Sequence, residues 1–477
     1  MIIVFMIKEF VKSVSIYGIL PIIGKFLNFL LLPIYVKTFS PDEYGIVDLF
    51  EIFVLFLFVI ASMEIPLSYG RFFYDEKTTE HKKKVFNTSF VLTLIATILV
   101  IITAVLLKNV ILRNYIGSLD YDNLFYLSMV WLFVLNINTF LSFVPRYDKK
   151  PKSYVVVGLI SVVIKLLSAI FFVVILRQGL VGVLYGYICG NTISLLLYSY
   201  MARKYFTLTF SKSFAVKTIK YSLPMVPGAV LVEFWKPILR YCITFFFPIA
   251  LVGIYAFASR ITSINYLIYG ALKTAWMPML YEKKEDLIKG DNLKRISGLV
   301  IICSVFLGLF IITFSKELTL FIGTAEYLDS VKIIGMLVVS GLIQMLTQLR
   351  GIGPYISNRT SLITISNIVA SLIGVSLFYL IGNKIGILVV GVVSIVYELV
   401  NYLILVIYTE AKYKLSLHNS WELLSTLMLS FVCYTSICDT SLMIRCVIFA
   451  ITSLICLLIF IQNYLKNRNK NFNNNAL

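Results

Sequence analysis

Four ionisable residues stand where an apolar chain should not keep them. From Tyr221 to Arg260 the sequence is apolar enough to cross a bilayer twice, yet it holds Glu233, Lys236, Arg240 and Arg260. A charge at bilayer depth needs an opposite charge, a watery cavity or a charged ligand. Arg240 and Arg260 suit phosphate, because a guanidinium fork donates two parallel hydrogen bonds. Glu233 stands three residues before Lys236 and so can pair with it on one helix face. Pro224, Pro227 and Gly228 loosen the start of the stretch and Pro237 interrupts its middle, which makes these four the candidate hinge.

The same reading extends to other spans. Lys25 shares one face of the first apolar segment with Tyr17, Pro21, Asn28 and Tyr35. Tyr44, Asp48 and Glu51 follow i, i+4, i+7 and form a polar stripe. Lys165 in the fifth segment is expected to be paired or to snorkel, with a place in the cavity as the alternative. Glu398, with Asn401 and Tyr402 on its face, suits either a proton site or a polar helix contact. Five basic residues within spans would cost about 12–17 kcal/mol if they faced lipid, more than a typical net stability. They must therefore face an interior. Lys25, Lys236, Arg240 and Arg260 are the expected cavity lining. Asp48, Glu51, Glu233 and Glu398 are the expected coupling sites or ion-pair partners, with Glu233–Lys236 and Lys25–Asp48 as the competing assignment.

Catalytic and metal chemistry find little support. The two histidines, His81 and His418, fall in basic loops with no nucleophile or ligand spacing, and solvated histidines are expected there. The seven cysteines form no CxxC pair and lie almost wholly in apolar spans, as packing residues do.

The elements that must position these charges follow from composition. The 477 residues are 59% hydrophobic and 14% charged. A soluble domain is nearer half apolar and a quarter charged, so this is a polytopic all-α membrane protein. Fourteen stretches are long enough to span: 14–36, 44–66, 85–107, 124–144, 154–176, 179–201, 221–247, 249–272, 296–315, 333–349, 361–381, 385–408, 420–438 and 442–464. Three pairs, at 176–179, 247–249 and 381–385, leave almost no loop and must turn tightly. With the N-terminus inside, 29 of the 42 Lys and Arg fall in cytoplasmic segments, eight outside and five within spans, which fixes both termini in the cytoplasm. The net charge of +18 is then an inner-surface signal and calls for no nucleic acid.

The chain also echoes itself. Phe39, Gly45 and Ile46 recur as Phe247, Gly253 and Ile254, all at an offset of 208. Pro66 and Pro278 each close a span before a basic loop. A six-span shift preserves topology, so the halves are parallel repeats about an axis normal to the membrane. The division is an N-lobe at 1–201, a basic linker at 202–220, a C-lobe at 221–408, and a C-terminal helix pair with a basic tail at 409–477. Lys residues alternate with Phe and Leu in the linker, which suits either a segment lying on the anionic inner surface or a plain connector.

These residues carry a family resemblance. Glu43-Tyr44-Gly45-Ile46 after Ser40-Pro41, then Leu223-Pro224 with Pro227, Arg240-Tyr241 and Val252-Gly253-Ile254-Tyr255, resemble the polysaccharide (O-antigen) repeat-unit flippases of the multidrug/oligosaccharidyl-lipid/polysaccharide exporter superfamily. The resemblance covers nearly the whole chain. One departure is Leu239, where the family often has an Asp before the matching Arg. The resemblance implies two six-helix lobes alternating access around a cationic cavity. The cargo would be an undecaprenyl-diphosphate-linked oligosaccharide, moved to the outer leaflet of the bacterial cytoplasmic membrane. The implied role is transport, with no cofactor and with a proton or sodium ion as coupling ion. Its partners would be the lipid-linked oligosaccharide, membrane lipids, and the polysaccharide polymerase and chain-length proteins. A lipid II flippase, a cation-coupled multidrug exporter, and a membrane sugar polymerase or acyltransferase are the alternatives.

Overall fold

Ser40 and Pro41 start the first long helix for a local reason. The Ser40 hydroxyl accepts from the Glu43 N–H at 3.4 Å, and the Glu43 carboxylate accepts from the Ser40 N–H at 3.0 Å. This capping box satisfies two orphan donors, and Pro41 at the first helical position has no N–H to satisfy. The computed structural model describes residues 29–76, 78–148, 150–207, 209–265, 292–356, 359, 361–413 and 443–455.

The chain is all-helical. The helices of eight residues or more are α1 (Phe29–Thr38), α2 (Pro41–Ser62), α3 (Ile65–Phe73), α4 (Thr79–Leu106), α5 (Asp122–Tyr147), α6 (Pro151–Ala169), α7 (Gly179–Ala202), α8 (Lys212–Ser222), α9 (Val226–Glu233), α10 (Trp235–Phe246), α11 (Ala250–Thr262), α12 (Asn292–Thr313), α13 (Ser315–Ile322), α14 (Val331–Arg350), α15 (Ser361–Ile385), α16 (Leu388–Tyr413) and α17 (Met443–Ile455). Among the described residues eight helices are long and apolar enough to cross a membrane, or nine if the pair bent by 71° at Phe314 is one span. They match the second to sixth and ninth to twelfth expected stretches. Most of the first span, parts of the eighth and fourteenth and all of the thirteenth lie outside the described residues.

Two compact units are present, Met1–Gly253 and Ile254–Leu477. In the first, α5 packs on α7 and α7 on α6. In the second, α14 packs on α16 and α16 on α15 in the same order. The first-named member is well buried in both, 56% for α5 and 78% for the Ala325–Arg350 span that holds α14, and the last-named member is not, 11% for the α6 span and 22% for α15. The hairpins before α7 and α16 both turn through a left-handed glycine, Gly179 at φ 61° and Gly386 at φ 60°. They stand 207 residues apart, so the internal repeat is a repeat of packing as well as of motif.

Close approach in the first unit uses small residues. Gly182, Gly186, Gly190 and Ser194 recur every fourth position on α7 and face α6, where an added Cβ at Gly190 would lie 2.8 Å from the Ser161 carbonyl. Backbones held this near bring dispersion and polar contacts that lipid cannot supply.

The stretch at 202–220 is fastened to the first unit. Asn87 donates to the Tyr205 carbonyl and the Thr207 hydroxyl and accepts from the Thr207 N–H. Ser211 caps α8, which buries Phe214, Ala215 and Thr218 and exposes Lys212, Lys217 and Lys220. A buried apolar face on one side and exposed lysines on the other make it an amphipathic helix, not a plain connector. His81 differs from expectation. It lies in the first turn of α4, where its Nε2 meets the Phe72 carbonyl at 3.0 Å and its ring packs edge-on against Phe214, so it is not a solvated loop residue. His418 lies outside the described residues.

Candidate functional site

The charges of the opening stretch are sorted by a helix that is broken where its prolines fall. Leu223–Met225 is a 3-10 turn holding Pro224, and α9 starts with Pro227 near its N-terminus and Gly228 next. The helix then breaks at Phe234. Pro237 has no N–H to donate to the Glu233 carbonyl four residues back, which explains the position of the break. The hydrogen bonding resumes one residue on, from the Ile238 N–H to the Phe234 carbonyl at 3.2 Å. All four candidate hinge residues therefore flank real discontinuities.

Arg240 and Asp48 meet across the two halves of the repeat. Arg240 Nε donates to Asp48 Oδ2 at 2.8 Å, with side chains 6% and 5% exposed. Asp48 sits two turns into α2 and Arg240 mid-way along α10, so this pair ties the first copy of the hairpin to the second. Burial of this kind makes removal of one partner costly, about 3–5 kcal/mol, because the other charge is stranded. Tyr115 has its hydroxyl shielded from solvent beside the pair. Burial holds its hydroxyl above the usual tyrosine range, with Arg240 opposing and Asp48 reinforcing that shift. At the family's usual acidic position Leu239 is buried, and the carboxylate for Arg240 comes instead from α2.

Lys236 takes the other acid. Its Nζ lies 2.5 Å from Glu233 Oε2, and the two side chains are 56% and 40% exposed. An exposed pair of this kind contributes at most about 1 kcal/mol. Glu51 accepts from the Tyr187 hydroxyl at 2.7 Å. Lys165 lies 3.9 Å from the centre of the Tyr187 ring, and Trp131 stacks on that ring at 4.4 Å. Lys165 is thus held by a ring face. Nothing in the sequence spacing linked Lys165, Tyr187 and Glu51, because they come from three different helices.

Of the remaining sequence-expected residues, Lys25 lies outside the described residues. Arg260 belongs to the second unit, in the last turn of α11, half-buried. Glu398 is buried in that unit and accepts from Gln344 Nε2 at 2.9 Å. Tyr402 accepts from Arg350 at 3.0 Å, and Tyr397 donates to Asn367 at 2.6 Å. The Glu398 face thus joins α14, α15 and α16 through polar side chains.

The repeated glycines meet each other. A Cβ added at Gly253 would fall 1.8 Å from the Pro41 carbonyl oxygen and 3.0 Å from the Gly45 nitrogen. One at Gly45 would fall 2.7 Å from the Ile249 carbonyl oxygen and 2.9 Å from the Gly253 nitrogen. The start of α2 and the start of α11 therefore cross backbone to backbone. The sequence signal was the recurrence of Gly-Ile at a fixed offset; that the two copies touch is a tertiary fact.

Comparison with solved structures agrees with this architecture. The lipid II flippase MurJ in an inward closed conformation superposes with a TM-score of 0.71 at 16% identity, covering 94% of this chain and 99% of that one. An inward-facing multidrug resistance MATE family transporter of the MOP superfamily gives 0.64 at 15% identity, over 86% and 96% of the two chains. The Vibrio cholerae MATE transporter VcmN gives 0.58 at 14% identity, over 86% and 98%. At such identities the likeness establishes the fold, that of MOP-superfamily transporters. None of the functionally curated protein sequences matches significantly. The sequence itself matches the family described as polysaccharide biosynthesis protein over residues 10–284, more than half of its length, and the chain is a member of that family.

Proposed function

We propose that this protein moves an undecaprenyl-diphosphate-linked oligosaccharide from the inner to the outer leaflet of the bacterial cytoplasmic membrane, for assembly of a surface polysaccharide. The observation that carries this reading is the Asp48–Arg240 pair, a cation kept within the membrane-embedded helices of a polysaccharide biosynthesis protein and held there by a carboxylate from the other repeat. A head group bearing two phosphates cannot cross hydrocarbon unaided. Lys25, Lys236, Arg240 and Arg260 are the residues that would neutralise it, while sugars stay in water and the prenyl tail stays in lipid.

The pairing suggests how binding drives movement. A diphosphate competes with Glu233 for Lys236 and with Asp48 for Arg240. Each exchange replaces one carboxylate with a more highly charged anion, so binding and release of the α2–α10 tie become one event. The segments flanking Pro224, Pro227, Gly228 and Pro237 bend as that tie opens. Asp48, once released, and Glu51, Glu233 and Glu398 are the carboxylates available to take up a proton or sodium ion on the return step. The distribution of Lys and Arg supports an orientation in which α2 starts at the outer face.

A lipid II flippase would use the same chemistry on a different glycan, and a multidrug exporter of this fold should present a more acidic and aromatic cavity. The test is export. Arg260→Ala should abolish surface polymer while Arg260→Lys retains part of it, and lipid-linked oligosaccharide should accumulate in the inner leaflet of the deletion strain. Normal export by the alanine form would overturn the cationic-cavity reading. Accumulation of the lipid-linked units in the outer leaflet would favour a polymerase instead.

A further inference from the structure

We propose that the first unit holds a second anion site, apart from Arg240 and Lys236, built between α5, α6 and α7 and suited to a phosphate ester that carries hydroxyl groups. A cavity of about 260 Å³ lies there, lined by Asn138 and Arg146 of α5, Tyr154 and Ser161 of α6, and Ser194 and Tyr198 of α7, among others. Arg146 is the one charged residue in the lining. Its guanidinium carbon lies 4.6 Å from the Phe143 ring centre and 4.1 Å from the Tyr154 ring centre, and Nη2 donates to the Tyr154 hydroxyl. The rings fix the guanidinium without neutralising it, and among the described residues no carboxylate pairs with it. Its Nε is shielded from solvent and has no hydrogen-bond partner. A fixed cation with an unused, desolvated donor is satisfied best by an anion.

The other end of the cavity has the opposite need. Asn138 Oδ1 is also buried without a partner, because its Nδ2 is turned to Asn191 at 3.2 Å. Along the wall, the Ser161 hydroxyl donates to the Gly190 carbonyl and the Tyr198 hydroxyl to the Tyr154 carbonyl. Their oxygens keep lone pairs that accept from a ligand hydroxyl. The cavity thus pairs a cationic donor at one end with acceptors at the other. Asn138 and Arg146 are eight residues apart, about 12 Å along the helix. That span is long for inorganic phosphate and fits a phosphate ester of a small polyol or a hexose. The volume lies just under the range of drug-sized sites, about 300–1,000 Å³, which points to the same ligand size.

The place of the cavity narrows the source. Its α6 wall is a peripheral helix, with Val156, Ile160, Val163 and Leu167 exposed on the outer face. Arg146, Lys150 and Lys152 mark the adjoining α5–α6 turn as cytoplasmic by charge. The ester therefore comes from an inner-leaflet glycerophospholipid head group or from a soluble cytoplasmic sugar phosphate.

Calorimetry on the full-length protein distinguishes the two. Glycerol 3-phosphate and glucose 1-phosphate are titrated into nanodiscs of phosphatidylcholine, and phosphatidylglycerol retention is measured separately by native mass spectrometry. Saturable binding of a soluble ester assigns the cytoplasmic source; selective retention of phosphatidylglycerol assigns the lipid source. In either case Arg146→Gln should weaken binding at least tenfold and Arg146→Lys should recover part of it. Gly158→Leu, which fills the cavity from α6, should abolish binding. Variants are compared at unchanged thermal midpoints. Binding of neither ester nor lipid, or wild-type binding by both Arg146→Gln and Gly158→Leu, would overturn the site.

Discussion

Gly253→Ala tests the crossing of α2 and α11 most directly. The added methyl carbon would stand 1.8 Å from the Pro41 carbonyl oxygen. Carbon and oxygen relax to about 3.3 Å, so the helices must separate by about 1.5 Å at this point. Gly45→Ala meets its nearest atom, the Ile249 carbonyl oxygen, at 2.7 Å and needs about 0.6 Å. The opposing atoms are backbone in both cases and cannot rotate aside. Overpacking of this kind costs about 1–3 kcal/mol. Applied to the crossed state alone, that raises the uncrossed population by about 5- to 150-fold. The reporter is Cys242, which is buried two residues after Arg240 on α10. With the other cysteines except Cys189 replaced, a membrane-impermeant maleimide added from outside should label Cys242 faster in Gly253→Ala than in wild type. Gly45→Ala should fall between them, and Cys189 on α7 should be unaffected. Equal Cys242 rates in all three proteins would refute the crossing as a contact that shields Cys242. Faster labelling of Cys189 as well would mean general loosening instead.

Four further outcomes follow from the same geometry. Asp48→Asn and Arg240→Gln should each lower stability by about 3–5 kcal/mol in thermal unfolding, while the exchanged pair Asp48→Arg with Arg240→Asp should recover part of the loss. Asn87→Ala removes three bonds that hold the 205–207 segment, which should cost about 1–3 kcal/mol and speed trypsin cleavage next to Lys204 and Lys212. Pro237→Ala restores a donor for the Glu233 carbonyl, so the break at Phe234 should close and transport should slow at unchanged protein level; an unchanged rate would remove the hinge role, and Pro227→Ala tests the upstream break in the same way. Replacing Glu233 with Gln should leave export intact if it is a partner for Lys236, whereas loss of proton or sodium dependence would make it the coupling site.

Local chemistry was legible without the fold. Span lengths, the tight turns near Gly179 and Gly386 and the breaks set by Pro224, Pro227 and Pro237 depend on neighbours within a few residues, so spacing suffices to place them. The repeat was also legible, because two copies of one supersecondary unit need the same residues at the same offset. The sequence further required that the span charges find partners, since hydrocarbon leaves them no alternative. Which partner each charge took was decided in three dimensions. Asp48 holds Arg240, 192 residues away, a partner that no spacing on its own helix indicates. Lys165 sits on the Tyr187 ring, whose hydroxyl serves Glu51. The two Gly-Ile motifs meet at their backbones. A partner across helices is chosen by the rotation and approach of whole helices. Those are set by the sum of all their packing contacts, and a lone residue's type or spacing does not contain that sum.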